Sequence, residues 1–394
     1  MSVITYRPFT QFHLTEGGPT YRLEKRVGLI RENLSKARVR AFLPIFVTWV
    51  PLLILSAVEG NAKGNHIPIP FLHDFAVHTR FLLAVPLLLL AETILGMRLA
   101  HVAAHFIESG LVIESDYNEY ESAIQKGLRW RDSALAEFIL IVIAFALTTA
   151  SQLSPEMQIS SWHFMRKPSG DSLTAAGWWY TIFCVPLYRF LLLRWLWRVF
   201  LWGQFLWRMN RLNLQLMPTH PDESGGLAFV GEEERFFSIL LFANSVTAAG
   251  VLANSIIYDK IPLQHYWPLI AAYVVISVLA IMLPLLVFSS TLVRVKRWGR
   301  HQYGALGTEY TSAFQKKWVT GPRDPEEVLL GTGDIQSLAD LGNSFAFIEK
   351  MDVIPVGPRT PISLAIVCLI PFAPLLLTMM SLRDILEAVI KMIL

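Results

Sequence analysis

Seven apolar runs, each about long enough to cross a bilayer as a helix, alternate with charged stretches along this chain. They fall at roughly 41–58, 81–103, 134–152, 178–197, 236–257, 267–293 and 361–381. The fourth, within GWWYTIFCVPLYRFLLLRWLWR, shows the logic best. Trp178, Trp179 and Tyr180 stand at one end, and Trp195, Trp197, Trp202 and Trp207 at the other. Residues 178–197 rise about 29 Å as a helix, close to one hydrocarbon thickness. Tryptophan and tyrosine favour the two interfaces, where an apolar ring keeps a wet N–H or O–H. The predicted fold class is therefore all-α, a polytopic helical membrane protein of about seven transmembrane helices with helical cytoplasmic extensions.

The pattern divides the chain into five parts. Residues 1–40 form a basic N-terminal segment, and 41–293 a six-span domain with inner loops 104–133 and 204–235. A helical segment, 294–360, follows, with helix signals at 303–318 and 334–351. The seventh span, 361–381, precedes an amphipathic interfacial helix at 382–394. Residues 21–40 carry seven basic residues against two acidic ones, which puts the N-terminus in the cytoplasm and, after seven crossings, the C-terminus in the periplasm. With no apolar h-region near the start, the first span is expected to double as the targeting signal.

Composition narrows the class further. A chain of 394 residues that is 53% hydrophobic and 16% charged, with mean hydropathy +0.44, is not an ordinary soluble enzyme. Its net charge of +3 is small, and its basic residues flank apolar runs, so they orient the protein in a membrane and do not point to nucleic acid. Cys184 and Cys368 both lie inside apolar runs, giving no disulfide framework and no thiolate metal cluster.

Charges inside the spans are the first candidate chemistry. Glu92 lies near the centre of span two and Arg189 near the centre of span four, at a shared depth. Glu137 sits one turn inside span three, level with Arg194 and Arg198. The expected pairs are Glu92–Arg189 and Glu137 with Arg194 or Arg198, because an unpaired charge there costs at least about 2.5–3.5 kcal/mol. Such pairs either lock helices together or line an ion or substrate path. Spacing argues against a voltage sensor: at 100° per residue, Arg194 and Arg198 lie about 140° and 180° round the helix from Arg189. Asn244, Ser245, Thr247, Asn254 and Ser255 in span five suit a hydrated path or interhelical hydrogen bonds equally well.

Two polar motifs follow. In PTHPDESGG, Pro218 and Pro221 forbid regular helix and Gly225–Gly226 permits left-handed backbone, so His220, Asp222 and Glu223 are presented on a constrained turn. That turn is either a metal, phosphate or gating site, or a device that re-aims the chain while Asp222 bonds nearby N–H groups. His101, His105 and Glu108 share one helix face by their i, i+4, i+7 spacing, which suits a divalent metal weakly and a hydrated polar face better. No HExxH, P-loop, nucleophile elbow or dinucleotide fingerprint is present, and no cofactor is expected.

Several stretches resemble a family of bacterial multi-pass inner-membrane proteins: GWWYTIFCVPLYRFLLLRWLWR, LMPTHPDESGGLAFVG, GTGDIQSLADLGNSF and PFAPLLLTMMSLRDILEAVI. The PTHPD-x-x-GGL segment is the most specific of them, and the resemblance runs from about residue 162 onward. It implies a bacterial inner membrane and a multi-span helical fold, and it implies no activity.

The reading that follows is a homo-oligomeric channel or transporter for a small ion or solute, with a cytoplasmic collar. A membrane sensor or scaffold that recruits a cytoplasmic protein partner is the first alternative. A membrane-embedded enzyme using His220 and Asp222 is the second. The expected partners are the lipid bilayer, further copies of the chain and a cytoplasmic protein, and not nucleic acid.

Overall fold

In the computed structural model, residues 11–28, 34–64, 67–152, 161–165, 172–322 and 333–379 are described; the amphipathic helix expected at 382–394 lies outside them. The fold is all-α. Among the described residues, seven helices are long and apolar enough to span a membrane: Arg40–Val58, Phe75–Glu108, Ala134–Ser151, Ala175–Met209, Ala228–Tyr258, Leu263–Thr320 and Arg359–Thr378. The side from which span one departs is the near face and the other the far face. The only described sheet is a pair of two-residue strands, Phe164–Met165 and Ser172–Leu173, in the far-face loop between spans three and four.

Spans two, four and five make the centre, with 56, 50 and 56% of their most apolar stretch buried, against 11% for span three. Span three instead exposes Leu135, Phe138, Ile139, Val142 and Phe145. In water such a face would be a liability; in a bilayer it is solvated by acyl chains.

Two of the central helices are built alike. Span two has a π-helical turn at Thr79–Ala84 followed by Val85–Pro86, and span four has one at Tyr180–Cys184 followed by Val185–Pro186. Proline has no N–H for the carbonyl one turn back, and a wider turn there absorbs the missing bond. Both helices also overrun the bilayer. Their 34 and 35 residues rise about 51 and 52 Å, some 20 Å more than a hydrocarbon core, and the excess projects from the near face.

The near-face overhang is covered by the start of the chain. Phe12, Leu14 and Thr15 are buried, and Phe12 stacks on Phe205 at 4.5 Å between ring centroids. Span two carries Gly96 where a Cβ would collide with the Thr15 hydroxyl. Residues 12–15 of the basic N-terminal segment are thus part of the packed structure.

Span six continues off the near face as one helix through Gln315 and a π-helical turn at Lys316–Thr320. Gly333–Lys350 returns alongside it. Asp334 near the tip accepts from Lys317 Nζ and Trp318 Nε1, both at 2.9 Å, and Arg300 pairs with Glu349 at 2.6 Å nearer the base. The two helix signals at 303–318 and 334–351 are the arms of this hairpin.

Candidate functional site

Spans one and four calibrate depth. At the near face, Arg40 of span one meets the same carboxylate as Arg194 of span four; at the far face, Glu59 Oε1 accepts from Ala175 N at 2.8 Å. Residues 175–194 of span four therefore cross the same layer as 40–59 of span one, about 28 Å.

That common carboxylate is Glu92, 2% exposed. Its Oε1 accepts from Arg194 and, at 2.7 Å, from Arg198 Nη1; its Oε2 accepts from Arg40 Nη2 at 2.5 Å. Arg40 also donates to Glu24 Oε2 at 2.6 Å, and Arg194 Nη1 is 3.9 Å from Glu24 Oε1. Beside this group, Glu137 accepts from the backbone N (3.1 Å) and hydroxyl of Thr20. It thereby caps the helix Pro19–Arg26, where a carboxylate also complements the helix dipole. Asp132 accepts from Gly18 N at 2.8 Å and pairs with Arg131 at 2.7 Å. Arg40, Arg131, Arg194 and Arg198 face Glu24, Glu92, Asp132 and Glu137, four charges against four. A small cleft between spans three and four, lined by Gly17, Gly18, Arg131, Glu137, Arg194, Trp197 and Arg198 among others, opens onto the network.

Both expected pairings need correction. Glu92 does not meet Arg189; it binds Arg194, Arg198 and Arg40. Because spans two and four overrun the near face, their midpoints are not the middle of the bilayer, and Glu92 lies level with Arg194 at the near-face boundary. Glu137 shares the cleft with Arg194 and Arg198 but is committed to Thr20. Sequence reasoning also missed Arg40 and Glu24. Arg40 abuts the first apolar run, a position that marks it as an interfacial cation; nothing in the sequence marks Glu24.

Arg189 sits elsewhere. It lies about 21 Å from Ala175 and 7.5 Å from Arg194 along the helix, inside the apolar layer. Its Nη2 donates to Ser151 Oγ of span three at 3.0 Å, while Nη1 is buried without an acceptor among the described residues. No described carboxylate pairs with it. Toward the far face, Arg80 Nη1 donates to Tyr180 Oη at 2.5 Å, and its guanidinium lies 5.3 Å from the Tyr188 ring centroid. Asp74, buried nearby, accepts from Val77 N (3.2 Å), Trp162 Nε1 (2.8 Å) and Asn254 Nδ2 (2.8 Å). Between these upper charges and the Glu92 network lie the buried apolar side chains of Leu88 and Leu191, and Trp195 Nε1 donates to Leu88 O at 2.9 Å.

Span-five polar residues divide between two tasks. Asn254 ties the helix to the Asp74 loop, and Ser245 Oγ reaches Tyr273 Oη (3.3 Å) and Cys368 Sγ (3.1 Å) on spans six and seven. These are interhelical bonds of the kind membranes favour.

The PTHPD motif is a latch. Asp222 Oδ1 accepts from Ser224 N at 2.9 Å and Gly226 N at 3.0 Å, and Oδ2 from Ala228 N at 3.0 Å. Partial burial pushes its carboxyl up, but the N–H groups of Ala228, Ser224 and Gly226 outweigh that and hold it below the ordinary range. His220 Nδ1 stands 2.7 Å from Asp222 Oδ1. Glu223, Gly225 and Gly226 adopt φ of 55°, 67° and 98°, the left-handed turn that the glycines permit. The turn exposes the Glu223 carbonyl, which accepts from Asp352 N at 2.6 Å and fastens the return after the hairpin. With its carboxylate bonded to this backbone, Asp222 fastens the turn.

The weak metal set is also corrected. His105 and Glu108 are 3.9 Å apart, the rings of His101 and His105 6.2 Å apart, and His105 packs edge-on against Phe229 at 4.5 Å. Among the described residues no three such side chains converge on a metal position. Shared helical face is a necessary condition for a ligand set and not a sufficient one.

His163, in the far-face loop, is enclosed by Trp162 and Tyr180 at 4.9 and 5.2 Å between centroids. That enclosure pushes its pKa down to about 4, Asp74 opposing and Arg80 assisting. The unfolded chain takes up a proton near pH 6.5 and the folded one only near 4, so stability falls as pH drops through that window. The melting temperature is expected to decline between pH 6.5 and 4 and to decline less in H163F. Equal slopes for the two proteins, followed by circular dichroism, would exclude this source of acid sensitivity.

These features define a polytopic all-α membrane protein with paired charges at one face and a guanidinium in its apolar layer. No known protein family, curated protein or solved structure matches the chain.

Proposed function

We propose that the protein is a channel or transporter for a small ion or solute, set in a bacterial inner membrane with its near face in the cytoplasm and acting as a homo-oligomer. One observation carries the reading: Arg189 holds a charge inside the apolar layer, and among the described residues its one hydrogen-bond partner is a serine hydroxyl. A charge at that depth needs water, a counter-charge or a ligand. The arrangement around it suits gated passage, with polar groups toward each face and the buried side chains of Leu88 and Leu191 between. The family resemblance supports the inner-membrane location, and the hairpin is suited to gather subunits into a cytoplasmic collar. Purified protein in sealed liposomes is expected to pass at least one small ion faster than empty liposomes, and R189Q to slow it. Flux indifferent to R189Q and E92Q would remove both residues from the path.

The hairpin favours a second reading, recruitment of a cytoplasmic protein. Trp298, Leu306, Val319 and Ile335 are exposed on it, beyond the apolar part of span six. That reading expects no flux, and a captured partner that is lost when residues 320–360 are altered.

A further inference from the structure

The polar groups left unmatched around Arg189 are of one kind. Arg189 Nη1 and Arg80 Nε are both buried without an acceptor among the described residues. Arg80 is spent on a tyrosine hydroxyl and Arg189 on a serine hydroxyl. Asp74, buried nearby, already accepts from three donors, and no ion pair joins it to either arginine. Among the described residues, two guanidiniums and one committed carboxylate leave this half of the layer with a surplus positive charge and a surplus of donors. At the near-face end, Arg194 Nε in the cleft is unmatched in the same sense.

An unmatched donor in a low-dielectric site is costly, and a charged one more so. A cation would deepen the imbalance. A neutral solute would supply acceptors but leave the charge. An anion supplies both, through charge-assisted bonds of the strongest kind. Size follows from the surroundings: Arg80 packs against Tyr180 and Tyr188, so a small ligand is the one admitted with least displacement of side chains. Depth separates the ligand from a lipid headgroup, since Arg189 lies about 21 Å along the helix from the far boundary, and its side chain reaches away from the near one.

Building on the transport reading, we propose that Arg189, with Arg80 on its far-face side, binds a small anion of halide, nitrate or formate size, and that such an anion is the species carried. Entry from the near face is through the cleft at the span three–span four seam. Span three covers Arg189 through Ser151 and has span four as its main neighbour, so it is the element free to shift as the anion passes.

The test uses the full chain in liposomes of neutral lipid loaded in turn with KCl, KNO3 and potassium formate. Adding valinomycin releases the counter-ion, and anion efflux is read with ion-selective electrodes. Efflux of one or more of these anions is expected, reduced about tenfold or more in R189Q and largely retained in R189K, since the lost term is an intramembrane charge. In parallel, exchanging gluconate for chloride, nitrate or formate should raise the melting temperature of the unmodified protein and not that of R189Q, which gel filtration must show to be monodisperse. Potassium or sodium flux without anion flux would overturn the anion assignment and leave transport standing. No flux and a melting temperature indifferent to all three anions would overturn both. Stabilisation by phosphatidylglycerol vesicles but not by free anions would assign the charge to a lipid headgroup and overturn the proposal.

Discussion

E92Q is expected to be the most damaging single substitution in this protein, costing about 3–5 kcal/mol and most of the yield of monodisperse material. Glu92 is the hub on which three arginines from two other spans converge. Arg194 and Arg198 are 7% and 4% exposed, so neither can exchange its lost partner for water. Glutamine keeps the shape and removes the charge, leaving three cations against Glu24. The cost is one of uncompensated burial, so removing a cation with the anion should recover part of it. The double variant E92Q/R198Q is expected to unfold above E92Q alone, measured by thermal scans in one detergent. An E92Q melting temperature equal to that of the unmodified protein would show that the network is hydrated and contributes little.

The latch should fail next most severely, and locally. D222A removes the acceptor of three backbone N–H groups, at about 1 kcal/mol or more each. G231A attacks the same joint from the other side, because a Cβ at Gly231 would strike the carbonyl oxygen of Pro355. Either change is expected to free residues 351–356 from the near face while the spans stay folded. Trypsin cleavage at Lys350 should then accelerate by about tenfold or more, each 1.4 kcal/mol of lost protection being one factor of ten. G342A is the control, since its added methyl group meets open space. Unchanged cleavage in D222A and G231A would mean that the return segment is held by something other than the PTHPD turn.

Much of this architecture was legible in the sequence, for a simple reason. A run of about twenty apolar residues has few alternatives to a membrane helix, so the seven crossings declared themselves. Depth did not. The overhang of spans two and four is made of mixed residues such as HVAAHFIE and LWGQFLWRM, which read as interface while belonging to unbroken helices. Taking helix centre for bilayer centre misplaced Glu92 and, with it, the pairing. The 140° offset between Arg189 and Arg194 already implied that one carboxylate could not serve both. The N-terminal cap was hidden because three buried residues, Phe12, Leu14 and Thr15, are too few to form a periodic pattern amid polar neighbours. The latch was visible as one of two outcomes. Its prolines and glycines specified a tight turn, but only coordinates could tell whether Asp222 pointed into that turn or out of it.

The assignment of function rests on where one guanidinium sits, and depth can be measured. A nitroxide placed at R189C, with Cys184 and Cys368 replaced by serine and the protein in bilayers, reports its immersion from collisions with oxygen and with a water-soluble nickel chelate. Oxygen should dominate, since position 189 lies inside the apolar layer, about 7.5 Å from the near boundary and about 21 Å from the far one along the helix. A label that meets the chelate as freely as one at Lys126, on the near-face helix outside the spans, would put position 189 in water and contradict an intramembrane charge.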